Sequence, residues 1–393
     1  MVYKHNLSDL SGEYMLRNDD EDMPNREKVD YDVHGLVGIR LLDPAPSDRA
    51  AVANQLGPLE KPLLREPDIT VRFVPSLSLR NLRYVTLSEN GFTDDGFVVL
   101  RSKKQPAKVL MKFEQLGHTC EMICESGLRA IPLLLAILNL TLLRKNYISL
   151  HASAFTYRGK GILVTGWAKG GKTEALLSFF LNGATYVGDE WIVLSDDGEK
   201  MYGIPEKMRL WDWHLEYLPQ IQCQVKYDQR LLFATIHWLD RLQMKLSKGR
   251  LRQVFPMPWW REAMPALKRQ LNVTITPQVI FGSKFGSLVA KPEKVFLMMN
   301  HEAPHTYVEP TDPCEIARRM VASIQYEQQP LVEQYLAYRF AYPHTCNSLI
   351  EEMHELQYTT LSRALKGKTA YTVWHPYPVA IPELYRAMQP FCE

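Results

Sequence analysis

Lys172 and Thr173 close the run Gly166-Trp167-Ala168-Lys169-Gly170-Gly171-Lys172-Thr173, and these residue types at this spacing make a phosphate-binding loop, or P-loop. Glycine leaves successive backbone N–H groups free to turn inward around phosphate oxygens with no Cβ in the way. The Lys172 amine is placed to reach the β- and γ-phosphates, and the Thr173 hydroxyl to ligate Mg²⁺. Gly166, Gly170 and Gly171 belong to the same cradle, with Lys169 as either an added phosphate contact or a solvent-facing residue. Downstream, Gly188-Asp189-Glu190 brings two carboxylates. Beside a metal–phosphate site two carboxylates can divide the work, one holding the metal and the other taking a proton from an attacking hydroxyl. The plain alternative is a solvated Asp-Glu turn between two strands.

The elements that must position these groups are legible around them. Residues 161–165 are apolar and strand-like, and residues 174–181 are helix-like, so the loop lies between a strand and a helix as its chemistry requires. Glu174 would support the metal, although a carboxylate in a first helical turn is favoured by the dipole in any case. Asn182-Gly183 stops the helix, residues 184–187 form a short strand, and the acidic pair follows directly. The strand expected over 294–300 ends in Asn300 and supplies no distant acid.

Leu150-His151-Ala152-Ser153-Ala154, the loop and Gly188-Asp189-Glu190 together resemble the catalytic domain of the HPr kinase/phosphorylase family. His151 precedes Gly166 by fifteen positions, the loop ends Gly171-Lys172-Thr173-Glu174, and Asp189 follows Lys172 by seventeen. The similar stretch runs over about residues 147–210. The resemblance implies a phosphoenolpyruvate-carboxykinase-like nucleotide-binding fold and an ATP- and Mg²⁺-dependent kinase. By resemblance and by chemistry together, Asp189 is the general base and Thr173 and Glu190 are the metal ligands. His151 would lie near the phosphates and tune Asp189, with a structural histidine on a strand as the alternative. Arg209 would neutralise charge on the transferring phosphoryl, with an ordinary surface arginine as the alternative.

The departures bear on substrate more than on chemistry. Thr173 stands where the family has Ser and keeps the hydroxyl, while Glu190 stands for a second Asp and keeps the carboxylate. The glycine-rich signature associated with the phosphorylase reaction is replaced by Tyr202-Gly203-Ile204-Pro205-Glu206-Lys207-Met208-Arg209-Leu210. That is closer to divergent relatives found in peptide-tailoring and cell-surface gene clusters, so regulation of sugar uptake through HPr is the less favoured role.

A chain of 393 residues with 46% hydrophobic and 23% charged residues is long enough for more than one domain and globular in composition. A formal net charge of +2 gives no global field for nucleic acid or a membrane surface. The apolar run 131–143 is too short to span a bilayer, and residues 1–30 are polar and acidic with no signal-peptide pattern, which together point to the cytoplasm. Cys120 and Cys124 have no partner pair at zinc-site spacing.

The fold class expected is α/β (α+β), in four parts. Residues 1–33 read as a polar tail, 34–125 as a small α+β domain, 126–310 as the nucleotide-binding catalytic domain, and 311–393 as a mainly helical region. A helix is expected over 126–144, helices over 345–356 and 358–366, and a final strand-and-loop over 369–378. The segment 240–269 is basic, aromatic and broken by prolines, suited to cap a triphosphate or grip an acidic substrate, or to be a solvated basic face.

Two functions fit. The first is an ATP-dependent kinase that phosphorylates a hydroxyl of a peptide, protein or small molecule. The second is a nucleotide-binding regulatory or ATP-hydrolysing protein that switches a partner surface and tolerates loss of Asp189. His151, Asp189 and Glu190 together favour the kinase. Members of the family assemble, so the resemblance leaves a homo-oligomer open.

Overall fold

Apolar and polar residues alternate in Lys28-Val29-Asp30-Tyr31-Asp32-Val33, and in the computed structural model this segment is strand β1 (Lys28–Val33). The structure describes residues 27–102, 105–246 and 258–393. Tyr31 and Val33 are fully buried, so the polar tail expected over 1–33 is corrected from residue 28 onward. Asp30 and Asp32 lie on the other, half-buried face of the strand, paired with Arg40 and Arg65. Residues 1–26 lie outside the described part of the chain.

After β1 come β2 (Val37–Leu42), α1 (Pro46–Leu56), β3 (Ile69–Val74), β4 (Arg83–Thr86), β5 (Asn90–Phe92), β6 (Phe97–Ser102), β7 (Gln105–Met111) and β8 (Cys120–Glu125). They form an eight-stranded sheet in the order β1-β2-β3-β8-β7-β6-β5-β4. Ile69, Val71 and Phe73 on β3, and Cys120, Met122 and Cys124 on β8, turn the same way into the core, as a period of two requires. The two thiols act as small hydrophobes, and burial pushes that of Cys120 up to about 12. Helix α2 is Leu134–Arg144, shorter than the expected 126–144, because Pro132 lacks an N–H and Leu133 is left-handed at φ 60°.

The second sheet begins with the long β9 (Tyr147–Tyr157) and β10 (Lys160–Gly166), followed by α3 (Lys172–Phe180), β11 (Thr185–Gly188), β12 (Trp191–Ser195) and β13 (Met201–Ile204). Next come β14 (Met208–Trp211), α4 (Pro219–Gln222), α5 (Tyr227–Leu246), α6 (Pro258–Lys268), β15 (Asn272–Ile275), α7 (Pro277–Phe281), β16 (Val289–Ala290) and β17 (Pro292–Asn300). The chain ends with β18 (Tyr307–Pro310), α8 (Pro313–Glu327), α9 (Gln329–Ala341), α10 (Ser348–Leu365), β19 (Thr369–His375) and α11 (Ile381–Met388). The sheet runs β16-β13-β12-β9-β10-β17-β19-β18, with β11 paired on β9. β10, β17 and β19 are parallel and the rest antiparallel, so the chain is a mixed α/β protein.

The region 311–393 is mainly helical, carrying α8 to α11, and also supplies strand β19. β19 lies beside β17 in the second sheet. One hydrophobic core joins Val71 and Met122 of the first sheet, Leu150 and Ile192 of the second, and Ile316, Met320 and Leu361 of α8 and α10. The two helices expected over 345–366 are one, because nothing between Leu356 and Tyr358 breaks the backbone. Of the basic segment 240–269, residues 247–257 lie outside the described part. Among the described residues no helix is long and apolar enough to cross a membrane.

Candidate functional site

Strand β10 delivers the chain to Gly166, whose φ of 147° and proximity to β17 exclude a side chain: a Cβ there would stand 2.8 Å from the Met298 carbonyl oxygen. The chain then turns, with the Gly170 N–H donating to the Trp167 carbonyl at 3.1 Å, and Gly171 at φ 96° caps α3. His375 at the end of β19 is fully buried, and its Nε2 lies 2.9 Å from the Gly170 carbonyl oxygen. His375 therefore holds the loop through the Gly170 carbonyl. Lys172 is buried and donates to the carbonyls of Trp167 at 2.8 Å and Gly166 at 3.3 Å. Burial pushes its pKa below the ordinary lysine value. Lys169, also left-handed at φ 62°, is exposed.

Asp189 follows β11 and is only 3% exposed. Thr173 Oγ1 donates to its Oδ2 at 3.0 Å, and Ser153 on β9 donates to its Oδ1. Burial, and then the charge of neighbouring Glu190, push the Asp189 carboxyl up to about 7. Glu190 adopts φ 70° and its side chain turns elsewhere, with Oε2 2.8 Å from His151 Nε2. The expected metal pair of Thr173 with Glu190 is therefore corrected: Asp189 is the carboxylate beside Thr173. The left-handed φ of Glu190 turns its side chain to His151, while Asp189 faces Thr173.

His151 lies between two acids. Its Nδ1 is 2.9 Å from Glu327 Oε1, at the end of α8, while Nε2 faces Glu190. Burial works against the charged imidazole, but hydrogen bonds to Glu190 and Glu327 outweigh it and raise the His151 pKa. Burial likewise works against the Glu190 carboxylate, yet His151 and the charges of Lys172 and Arg209 hold its pKa below the ordinary value. Arg209, on β14, is exposed and acts through its charge. One residue before Glu327, Tyr326 packs on Trp167 of the loop with ring centroids 5.1 Å apart.

Glu174 is 4% exposed and turned away from the loop's mouth. The Trp211 N–H donates to His214 Nδ1 at 3.2 Å, which fixes the hydrogen on Nε2, and Nε2 donates to Glu174 Oε1 at 3.1 Å. Its expected part in cofactor binding is thus replaced by a tie between α3 and the segment after β14.

The fold brings together Lys172, Thr173, Asp189, Glu190 and His151, and leaves Lys169 and Arg209 at the surface. Sequence reasoning missed Ser153, Glu327, His214 and His375 as site residues. Ser153 had a signal, since it stands two positions from His151 on one strand and so shares its face. The other three come from distant segments. Among the described residues no group of three or more His, Cys, Asp or Glu is placed to hold a metal by itself. Thr173 and Asp189 fit a Mg²⁺ that takes its remaining ligands from phosphate and water. No protein-family model matches the chain, and no curated protein matches it.

Proposed function

We propose that the chain is an ATP-dependent phosphotransferase of the HPr-kinase type, moving the γ-phosphoryl group to a hydroxyl of a peptide, protein or small molecule. One observation carries most of this reading: Asp189 is buried, with one carboxylate oxygen on Thr173 at the start of α3 and the other on Ser153 of β9. A solvated turn does not bury its acid or pin both oxygens.

In this reading the N–H groups of residues 166–172 surround the phosphate chain at the positive end of α3. Lys172 exchanges the carbonyls of Trp167 and Gly166 for phosphate oxygens, which offset the cost of its burial. Mg²⁺, held by Thr173 and Asp189, would neutralise phosphate charge. Asp189 Oδ accepts the hydroxyl proton as the new O–P bond forms and the bond from the γ-phosphorus to the bridging oxygen breaks, leaving ADP. His151 and Glu190 stand beside Asp189, and the charge of Glu190 acts on Lys172 at the start of α3. Such a reaction suits a cytoplasmic setting, where ATP is present.

The test is ATP consumption with Mg²⁺ by wild type and Asp189→Asn, in the presence of size-separated peptides and metabolites from a cell extract. Acceptor-stimulated turnover by wild type alone supports the kinase. Tight ATP binding with no stimulated turnover in any fraction favours the nucleotide-gated regulatory protein.

A further inference from the structure

Glu327 is the last residue of α8, where the helix presents its negative end and a carboxylate is disfavoured by about 0.3–1 kcal/mol. Helix preference therefore does not account for it. Its Oε1 is 2.9 Å from Nδ1 of His151, 176 residues away in sequence, and the other ring nitrogen is 2.8 Å from Glu190 Oε2. Carboxylates only accept hydrogen bonds. A neutral imidazole has one N–H and would satisfy one of them, whereas both are satisfied when both nitrogens carry hydrogen. The ring is thus clamped at two points, its plane is set by α8, and Glu190 is fixed through it. The preceding residue, Tyr326, packs on Trp167, so the same helical turn touches the phosphate-binding loop.

We infer that Glu327 is a positioning residue for the transfer reaction, holding His151 in the doubly donating form that orients Glu190 beside Asp189. This rests on the kinase reading, but its geometry does not. Glu327 acts through His151 rather than on the phosphates, so its loss changes the rate of transfer and not the hold on nucleotide. α8 is anchored independently by buried Met320, Ser323 and Ile324 in the turns leading to Glu327, so the helix stays in place without this carboxylate.

The experiment compares full-length wild type, Glu327→Gln and Glu327→Asp by two readouts. The first is the ¹⁵N spectrum of labelled histidine at neutral pH, with the His151 signal identified by its loss in His151→Asn. Wild type is expected to show two N–H-type nitrogens for His151, and Glu327→Gln one N–H and one bare nitrogen. The second is Mg·ATP turnover, where Glu327→Gln is expected to lower kcat by about 10- to 100-fold with KM for ATP within about twofold, and Glu327→Asp to recover part of the rate. An unchanged His151 spectrum and unchanged kcat in Glu327→Gln overturn the inference, as does a loss confined to KM for ATP. A changed spectrum in a protein whose wild type turns over no ATP upholds the clamp and overturns the kinase reading alone.

Discussion

Thr173 and Asp189 are joined by a 3.0 Å hydrogen bond that spans two elements, the first turn of α3 and the end of β11. With Ser153 on the other oxygen, the carboxylate is held in one orientation and nearly enclosed. That enclosure has a measurable thermodynamic consequence.

The Asp189 carboxyl is pushed up to about 7 by burial and by Glu190, above its value in an unfolded chain. The folded state therefore binds the proton more tightly. The stability this group contributes is full below about pH 4 and declines as pH rises towards about 7. In nucleotide-free protein, the unfolding free energy of wild type relative to Asp189→Asn should fall across that window, at up to roughly 1.4 kcal/mol per pH unit. Urea unfolding at pH 4.5 and 7.5 (roughly the two ends of that window) measures the difference, and a flat difference counts against the buried carboxyl.

Gly171 has φ 96°, and a Cβ there would stand 2.7 Å from His375 Nε2. Gly171→Ala is expected to cost about 1–3 kcal/mol through strain and displacement of the imidazole, and to weaken nucleotide binding. His375→Ala should weaken binding too, by releasing the Gly170 carbonyl. Calorimetric titration with Mg·ATP tests both, and wild-type affinity in His375→Ala would show that the histidine does not hold the loop.

His214 and Glu174 form a buried pair, 1% and 4% exposed. His214→Ala leaves a buried carboxylate without its donor, at a cost of about 1–3 kcal/mol. Replacing both residues by leucine should recover most of that loss. Urea midpoints of the single and double variants check it, and a single variant no worse than the double contradicts it.

Removing residues 1–26 should leave nucleotide affinity within about twofold, since the described chain enters the fold at β1. Removing residues 1–33 deletes the buried Val29, Tyr31 and Val33 and should cost several kcal/mol by loss of apolar burial. Thermal unfolding of the two truncations separates them. Equal stability would contradict the placement of β1.

What the sequence revealed of the site was local. Residues 166–173 and 188–190 carry their chemistry in consecutive positions, so the strand, loop, helix and acidic turn were all legible there. Two misreadings had legible causes: Asp30 and Asp32 hid the alternation of β1, and Pro132 with left-handed Leu133 delays to Leu134 the helix that seemed to start at 126. α11 was also within reach, for Ile381, Leu384 and Met388 follow helical spacing after Ala380. The partners of His151, Gly170 and Glu174 were not. Glu327, His375 and His214 lie 176, 205 and 40 residues away from them, and no local period encodes which strand end or helix end meets the loop. The swap of Asp189 for Glu190 beside Thr173 depended on the left-handed φ of Glu190, a conformation that few non-glycine residues adopt.

The most direct measurement is the fate of a labelled γ-phosphate. Wild type, Lys172→Ala and Asp189→Asn are each incubated with Mg²⁺, γ-labelled ATP and the fractionated extract, and label is followed into acceptors. Transfer by wild type is expected, with none by Lys172→Ala. Asp189→Asn should bind nucleotide but lose transfer by at least about a hundredfold. Label moved equally well by Asp189→Asn, or never moved by a wild type that binds ATP tightly, would contradict a kinase with Asp189 as its base.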